Sequence, residues 1–236
     1  MRNNAGNIMT ESTSSAAEEI APLITLNRVT LSRGSFSLGE INLSCGPGEV
    51  ILLVGHNGAG KTTFLRMLAG LLDPQRGCIK RHHRGISLVS HEPMSYGGLT
   101  VGENLSFFCA LESRPIPDDL IRLWGLLPYL STKTSLLSRG LTIRLSLVRA
   151  LSSSAELLLF DEPTSNLDDS TARCYLEAIT SLKAAGRTAI IATHDLNRLL
   201  PKASRMLVLG EGSILFDSHE AGGFDEALNR YHQSNR

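Results

Sequence analysis

Residues 55–63 read GHNGAGKTT and fit the pattern G-x-x-x-x-G-K-[ST]. In loops of this type, backbone N–H groups surround phosphate oxygens, the lysine reaches the outer phosphates, and the next hydroxyl residue binds Mg²⁺. An apolar run, EVILLVG, precedes the loop and a helical stretch, TTFLRMLAGLL, follows it, so a helix N-terminus would face the anion. The pattern predicts a phosphate-binding loop made by Gly55, His56, Asn57, Gly58, Ala59, Gly60, Lys61, Thr62 and Thr63.

Three further polar residues follow buried apolar runs. Asp161 and Glu162 come after ELLLF, and His194 comes after TAIIAT. The carboxyl ends of parallel strands form the edge where α/β sheets bind ligands, so these side chains are predicted beside the phosphate loop. Mg²⁺ prefers hard oxygen ligands such as Asp161, and Glu162 can polarise a water molecule for in-line attack. A lone histidine is more often structural, but the position of His194 at this edge favours a role at the phosphate.

A second helix N-terminus is predicted within LSRGLTIRLSLVRAL, residues 137–151. Ser138 and Gly140 lie just before a helix whose Leu145 and Val148 face inward, and such a helix start favours an anion. One chain cannot easily direct two helix N-termini at one phosphate from opposite sides. Two chains arranged head to tail can, so the sequence favours a paired assembly.

The surrounding pattern predicts the elements that hold these residues. Apolar runs at EVILLVG, GISLVS, ELLLF and TAIIAT alternate with helical stretches, which indicates an α/β unit with a parallel sheet. Two alternating runs, ITLNRVTLS and SFSLGEINLS, predict antiparallel strands before the loop, and two short strands about Gly-Glu-Gly precede a final helix. Residues 99–152 read as an all-helical lobe that opens with a capping box of Thr100 and Glu103.

Composition limits the classes of function. The chain has 236 residues, 42% of them hydrophobic, which suffices for one domain over residues 22–236. Its 23 basic and 23 acidic residues balance, so no net charge draws it to nucleic acid. No apolar run approaches the roughly 20 residues that span a bilayer, so any membrane role needs a partner. Residues 1–21 lack the apolar core of a signal peptide and are expected to be a disordered tail, and four widely spaced cysteines fit a reducing compartment.

Over residues 23–217, the phosphate loop, LSRGL, the Asp-Glu pair, SNLD and the late histidine resemble, in that order, the motifs of the ATP-binding-cassette (ABC) ATPases. The resemblance implies an α/β fold with a P-loop NTPase core, an N-terminal antiparallel β subdomain and an inserted helical lobe. It also implies that Lys61 and Thr62 hold ATP and Mg²⁺, that Asp161 coordinates Mg²⁺ through water, that Glu162 is the general base, and that His194 contacts the γ-phosphate.

The same resemblance implies partners. Ser138 and Gly140 would act on the ATP of a second ATPase subunit, and Asp168 would line the seam of the homodimer or paired dimer. A separate transmembrane permease subunit would place the chain peripherally on the cytoplasmic face of the inner membrane.

Several positions depart from the family pattern. Glu92 stands where the family usually has a glutamine that senses Mg²⁺, so it is a further candidate metal ligand. Arg139 and Leu141 replace Gly and Gln in the signature, and the usual adenine-stacking aromatic is missing, which leaves Arg33 or Phe36 as candidates. SHEPMSYGGLTVGENLSFF and SRGLTIRLSLVRAL resemble the ATPase subunits of the haem exporters of cytochrome c maturation.

Two other functions stay open at this point. A soluble ABC ATPase of translation or repair usually carries tandem cassettes or a long coiled insert, and the sequence has neither. A nucleotide-dependent binding subunit with weak hydrolysis is suggested by Glu92 and Leu141. Phosphate release by the purified protein distinguishes that alternative from an active ATPase.

Overall fold

The computed structural model describes residues 21–34, 36–90, 94–164, 167–219 and 223–234. All of the predicted tail except Ala21 lies outside these ranges, as does the candidate metal ligand Glu92. Within them, no helix has both the length and the apolar content needed to cross a membrane.

The described residues form nine strands and seven α-helices. The strands are β1 (Ile24–Arg33), β2 (Phe36–Cys45), β3 (Val50–Val54), β4 (Arg76–Arg81), β5 (Ile86–Val89), β6 (Leu157–Asp161), β7 (Thr188–Ala192), β8 (Arg205–Gly210) and β9 (Ser213–Asp217). The helices are α1 (Lys61–Leu68), α2 (Val101–Leu111), α3 (Asp118–Leu123), α4 (Arg139–Ser152), α5 (Asp169–Ala184), α6 (Leu196–Leu199) and α7 (Gly223–Ser234).

The strands form two sheets. The larger has the order β5-β6-β7-β3-β8-β9 and is parallel except for the antiparallel β8–β9 pair, and the smaller is antiparallel with the order β2-β1-β4. The predicted parallel core and N-terminal antiparallel strands are therefore confirmed. The turn between β8 and β9 has positive φ at Glu211 and Gly212, as a tight two-residue hairpin requires.

Two apolar layers cover the larger sheet. Side chains alternate along a strand, so Leu52 and Val54 of β3 face the layer that includes α4, α5 and α7. Ile51 and Leu53 face the opposite layer, which contains α1 and the smaller sheet. Every residue of β3, β6 and β7 is buried, which explains their continuous apolar runs. This packing fixes the strand ends that carry the polar residues.

Helix α1 is shorter than the predicted stretch, which continued to residue 72. Gly70 has a φ of +74°, and the N–H of Leu71 returns to the carbonyl of Arg66 at 2.9 Å. These features end a helix in the left-handed conformation that glycine adopts readily. Phe64, Leu65 and Leu68 are buried.

Helices α2, α3 and α4 occupy the predicted lobe, and the fully described stretch 94–152 contains no strand. Thr100 accepts the N–H of Glu103 at 3.2 Å and Glu103 accepts the N–H of Thr100 at 2.8 Å, so the capping box is confirmed. Leu145 and Val148 of α4 are buried in the same apolar cluster as β6. The lobe and the sheet therefore share a core, and the limits of a separate lobe stay a prediction.

Candidate functional site

The phosphate loop joins β3 to α1. Gly58 and Gly60 have φ values of +86° and +103°, which glycine adopts without steric cost. A Cβ at Gly60 would lie 2.3 Å from the ring of Phe36, so this position also requires the absence of a side chain. Among the described residues, no side chain caps the N-terminus of α1, so the N–H groups of its first turn remain available to an anion.

Lys61 is the buried charged residue of the loop. Its Nζ donates to the carbonyl of Gly55 at 2.8 Å and to that of His56 at 3.3 Å, and it lies 3.4 Å from Nε2 of His194. Burial lowers the pKa of the Lys61 ammonium, and the charges of Glu162 and Asp161 oppose that shift. A largely buried ammonium held by carbonyl oxygens is ready to exchange those contacts for phosphate oxygens.

Thr62 and Asp161 form the candidate metal site. Thr62 Oγ1 donates to Oδ2 of Asp161 at 2.8 Å, and only 4% of Asp161 is exposed. A hydroxyl and a carboxylate are hard oxygen ligands, so this pair fits Mg²⁺, which commonly binds proteins through one or two such groups and keeps several waters. The structure thus places the predicted ligands Thr62 and Asp161 together, whereas Glu92 lies outside the described residues.

Glu162 and His194 meet at the same edge of the sheet. Nε2 of His194 is 3.0 Å from Oε1 of Glu162, although the two residues follow different strands. The Glu162 N–H donates to the carbonyl of Ala192 at 2.9 Å. Glu162 has a φ of +51°, a left-handed conformation that costs about 1 kcal/mol for a residue with a side chain. Strain of this kind concentrates at functional sites, and here it occurs at the residue whose carboxylate contacts His194.

A cavity of about 340 Å³ opens between these residues. It is lined by Phe36, Asn57, Gly58, Gly60, Lys61, Thr62, Thr63 and Glu162. Phe36 provides an aromatic ring in the lining of this cavity, so it remains a candidate for stacking on adenine. The side chain of the other candidate, Arg33, lies outside the described part of the chain.

Ser138 and Gly140 do not line this cavity. Ser138 caps α4 by accepting the N–H of Leu141 at 3.4 Å, and it is exposed to solvent, as is Arg139. The structure therefore separates the start of α4 from the phosphate loop of its own chain. The predicted action of Ser138 and Gly140 on a second chain stays a prediction.

Several ionic contacts around the site had no signal in the sequence. Arg144 of α4 pairs with Asp168 at 2.5 Å, and Arg198 of α6 pairs with Asp169 at 2.8 Å. Asp168 also caps α5, and D-x-x-T could have indicated that role. The arginine partners come from other elements, so only the tertiary structure identifies them.

A family model described as ABC transporter matches residues 38–165. The chain is 35% identical over 201 residues, 80% of it, to a cytochrome c biogenesis ATP-binding export protein, CcmA, of Xanthomonas campestris pv. campestris strain 8004, and covers 94% of that relative. It is 29% identical over 217 residues, 81% of it, to the ribose import ATP-binding protein RbsA 2 of Mesorhizobium japonicum, and spans only 43% of that protein.

Among solved structures, the dimeric post-hydrolysis ATP-binding cassette MJ0796 bound to ADP and Pi superposes with a TM-score of 0.72 at 23% identity. The match covers 82% of the chain and 97% of that structure. At this identity the likeness shows the fold. The relatives act in both import and export according to their names, so the transported molecule needs a separate argument.

Proposed function

The chain belongs to the ABC transporter family, and from that premise we propose that it is the ATP-hydrolysing subunit of a haem exporter of cytochrome c maturation. In this proposal, two copies enclose two ATP molecules and power a separate permease in the membrane. The observation that carries the proposal is the convergence of Lys61, Thr62, Asp161, Glu162 and His194 at one edge of the sheet.

The geometry supports a separate role for each of these residues in ATP hydrolysis. Lys61 exchanges its contacts with loop carbonyls for the outer phosphates, where its charge offsets their negative charge. Glu162 accepts a proton from the attacking water, and His194, 3.0 Å away, orients that carboxylate and contacts the γ-phosphate. Thr62 and Asp161 would hold Mg²⁺, which when bound supplies neutralisation of phosphate charge.

The position of α4 supports a paired assembly. Ser138 and Gly140 lie outside the cavity of their own chain, so they complete a site only when a second copy faces it. ATP would then stabilise the closed pair, because its phosphates contact both chains. Hydrolysis would remove the γ-phosphate contacts that hold the two chains together. The two states of the pair drive the permease.

A second cavity supports contact with the permease. It measures about 600 Å³, lies between α1, β5 and the lobe helices, and includes no residue of the phosphate loop. Three apolar or aromatic residues that line it are partly exposed to solvent: Leu71 is 54% exposed, Met94 44% and Tyr96 52%. Arg149 stacks on Phe108 at 4.6 Å and donates to the carbonyl of Met94, and no carboxylate among the described residues pairs with it. We therefore propose that an acidic, partly apolar segment of the permease occupies this cavity.

The haem assignment rests on the relative that the chain covers almost completely and on the residues around Glu92 and Ser138. To test it, the tagged chain is isolated from membranes with its co-purifying subunits, and phosphate release and haem absorbance are measured. We expect ATP hydrolysis that Lys61→Ala abolishes, together with a haem spectrum. Hydrolysis without haem would contradict only the assignment of haem as the transported molecule. ATP binding with negligible hydrolysis would favour the alternative of a nucleotide-dependent binding subunit with weak hydrolysis.

Two matched variants test the permease contact. Leu71→Asp places a charge at the rim of the second cavity, whereas Leu215→Asp changes an equally exposed leucine, 50% exposed, on β9. We expect the first to reduce recovery of the permease with ATP affinity unchanged, and the second to have no effect. Equal recovery for both variants would rule out this docking site.

A further inference from the structure

Two consecutive aspartates at the start of α5 each contact an arginine from a different element. Arg144 of α4 pairs with Asp168, and Arg198 of α6 pairs with Asp169 at 2.8 Å. The Nε of Arg198 also lies 3.6 Å from Oδ2 of Asp195, the residue that follows His194. We call Arg198 with Asp195 and Asp169 the α6 clasp.

The start of α5, which carries Asp169 of the clasp, is held in place by hydrogen bonds and by burial. Asp168 accepts the N–H of Thr171 at 2.9 Å and the hydroxyl of Ser170 at 2.6 Å. The Ser170 hydroxyl and the Thr171 N–H hold the pKa of the Asp168 carboxyl well below its usual range. Thr171 and Ala172 are buried, so the first turn of α5 is fixed to the core.

The turn that carries His194 has contacts on both sides. Before it, buried Thr193 donates its N–H to the carbonyl of Leu53 at 3.3 Å. After it, the N–H of Asp195 donates to Oγ1 of Thr193 at 2.9 Å, and the four-residue helix α6 begins. The imidazole itself is 40% exposed. The Asp195 carboxylate lies within ion-pair distance of Arg198, which in turn connects this turn to α5.

We propose that Arg198 is a positioning residue: by bridging Asp195 and Asp169, it holds the turn so that Nε2 of His194 stays in contact with Glu162. This inference rests on the proposed ATPase function. Exposed ion pairs contribute little to global stability, and Asp169 is 84% exposed. The effect we propose for the clasp is therefore on the position of the His194 turn and not on the stability of the protein. Reaction rates are far more sensitive to small displacements of reacting groups than stability is.

The test compares Arg198→Ala and Arg198→Lys with Arg230→Ala in the complex with the permease. Arg230 forms a similar exposed ion pair with Glu226 at 2.9 Å on α7, outside the site, so it is a matched control. For Arg198→Ala we expect kcat to fall about fivefold with the KM for ATP and the melting temperature unchanged, since ATP itself is held elsewhere. Arg198→Lys retains the charge and should recover part of the rate, and Arg230→Ala should match the parent.

A double-mutant cycle with Asp169→Asn identifies the path of the effect. If Arg198 acts through the clasp, Asp169→Asn lowers kcat as well, and Arg198→Ala lowers it less in that background than in the parent. The inference would be overturned if the effects of the two substitutions on kcat were independent and multiplied. It would also be overturned if Arg198→Ala had the same kcat as the Arg230→Ala control, or if its melting temperature fell together with its kcat.

Hydrogen exchange separates a failure of this inference from a failure of the proposed function. Residues 193–199 should exchange faster in Arg198→Ala than in the parent and the Arg230→Ala control, whether or not the complex hydrolyses ATP. A parent complex without ATPase activity would contradict the proposed function. Unchanged exchange in this segment would contradict the clasp.

Discussion

The hydroxyl of Thr62 donates to the carboxylate of Asp161 across 2.8 Å, although 99 residues separate them in the chain. Thr62 lies in the first turn of α1, which follows β3, and Asp161 ends β6, with β7 between the two strands. The contact brings a hydroxyl and a carboxylate to one point at the mouth of the phosphate loop. Several expected outcomes depend on this arrangement and its neighbours.

Replacing Asp161 with asparagine tests the metal site. The amide oxygen can still accept the Thr62 hydroxyl, but the negative charge that favours Mg²⁺ is lost. We expect kcat to fall by about 100-fold or more, with a shift of activity to higher Mg²⁺ concentration. Phosphate release is measured across a Mg²⁺ titration, with the exposed Asp73→Asn as control. Parent-like Mg²⁺ dependence in Asp161→Asn would exclude Asp161 as a ligand.

Glu162→Gln tests the general base. The amide preserves the size of the side chain and removes its ability to accept a proton, so kcat should fall on the order of 100-fold or more. ATP binding should persist, because Lys61, Thr62 and Asp161 are unchanged. The variant should therefore elute as a dimer in ATP and Mg²⁺ and as a monomer without them in size-exclusion chromatography. A hydrolysis rate equal to that of the parent would show that Glu162 is not the base.

Ser138→Arg tests whether α4 acts on a second chain. ATP binding by the single chain should remain, and hydrolysis should stop. Mixing this variant with Lys61→Ala should restore activity above that of either variant alone, because one site of each mixed dimer has an intact loop and an intact α4. If the two inactive variants stay inactive when mixed, although mixed dimers form, the site is not shared between chains.

Phe36→Ala tests recognition of adenine. Loss of a base-stacking surface should weaken ATP binding by about tenfold, whereas the affinity for inorganic tripolyphosphate should not change. Phe36→Tyr keeps the ring and should bind ATP like the parent. Calorimetric titration with both ligands measures the two effects. An equal loss for ATP and tripolyphosphate would point to a disturbed loop, since Phe36 also packs against Gly60.

Asp217→Asn tests an ion pair whose arginine, Arg205, contacts two other strands and the residue before β3. Arg205 donates to Asp217 at 2.9 Å, to the carbonyl of Ser44 at 2.7 Å and to Glu49 at 3.2 Å, and its side chain is only 7% exposed. Breaking this pair should lower the free energy of unfolding at pH 7 by about 3 kcal/mol. Chemical denaturation measures the loss.

The pH dependence of that loss follows from the pKa of Asp217. Burial raises this pKa, but the hydrogen bonds and charge of Arg205 lower it more, so the net shift is below the usual 3.8. A lowered pKa in the folded state gives stability that is present above pH 3.8 and lost as the pH falls through the folded value. The difference between parent and variant should thus be constant from pH 5 to 7 and shrink only below pH 3.8. A difference that shrinks already between pH 7 and 5 would contradict this assignment.

Local patterns in the sequence were sufficient to predict most of the fold. The buried strands, the glycine loop and the Thr100–Glu103 cap depend on neighbouring residues, so their patterns are readable. Strand β4 was missed because its sequence, RGCIKR, is mostly exposed at the edge of the smaller sheet and lacks alternation. Helix α1 ended early because of one glycine.

Pairings between distant elements were the part of the site that the sequence could not supply. The convergence of Lys61, Asp161 and His194 follows from the rule for parallel strand ends, so it was predictable in outline. Asp195 precedes Arg198 by three residues, a spacing that can be seen in the sequence, but the second acidic partner, Asp169, is known only from the folded chain.

The position of β3 in the sheet has a consequence for synthesis of the protein. Its neighbours are β7 and β8, which lie far downstream, so the strand that carries the phosphate loop has no sheet partner when it leaves the ribosome. Lys61 and His194, which follow β3 and β7, are 133 residues apart, and at typical elongation rates that interval takes on the order of 10 s. Throughout it, the apolar segment VILLV is exposed to wrong pairing. Nascent chains that stop before residue 188 should therefore depend on chaperones, and ATP should protect the chain from proteolysis only after β7 has emerged.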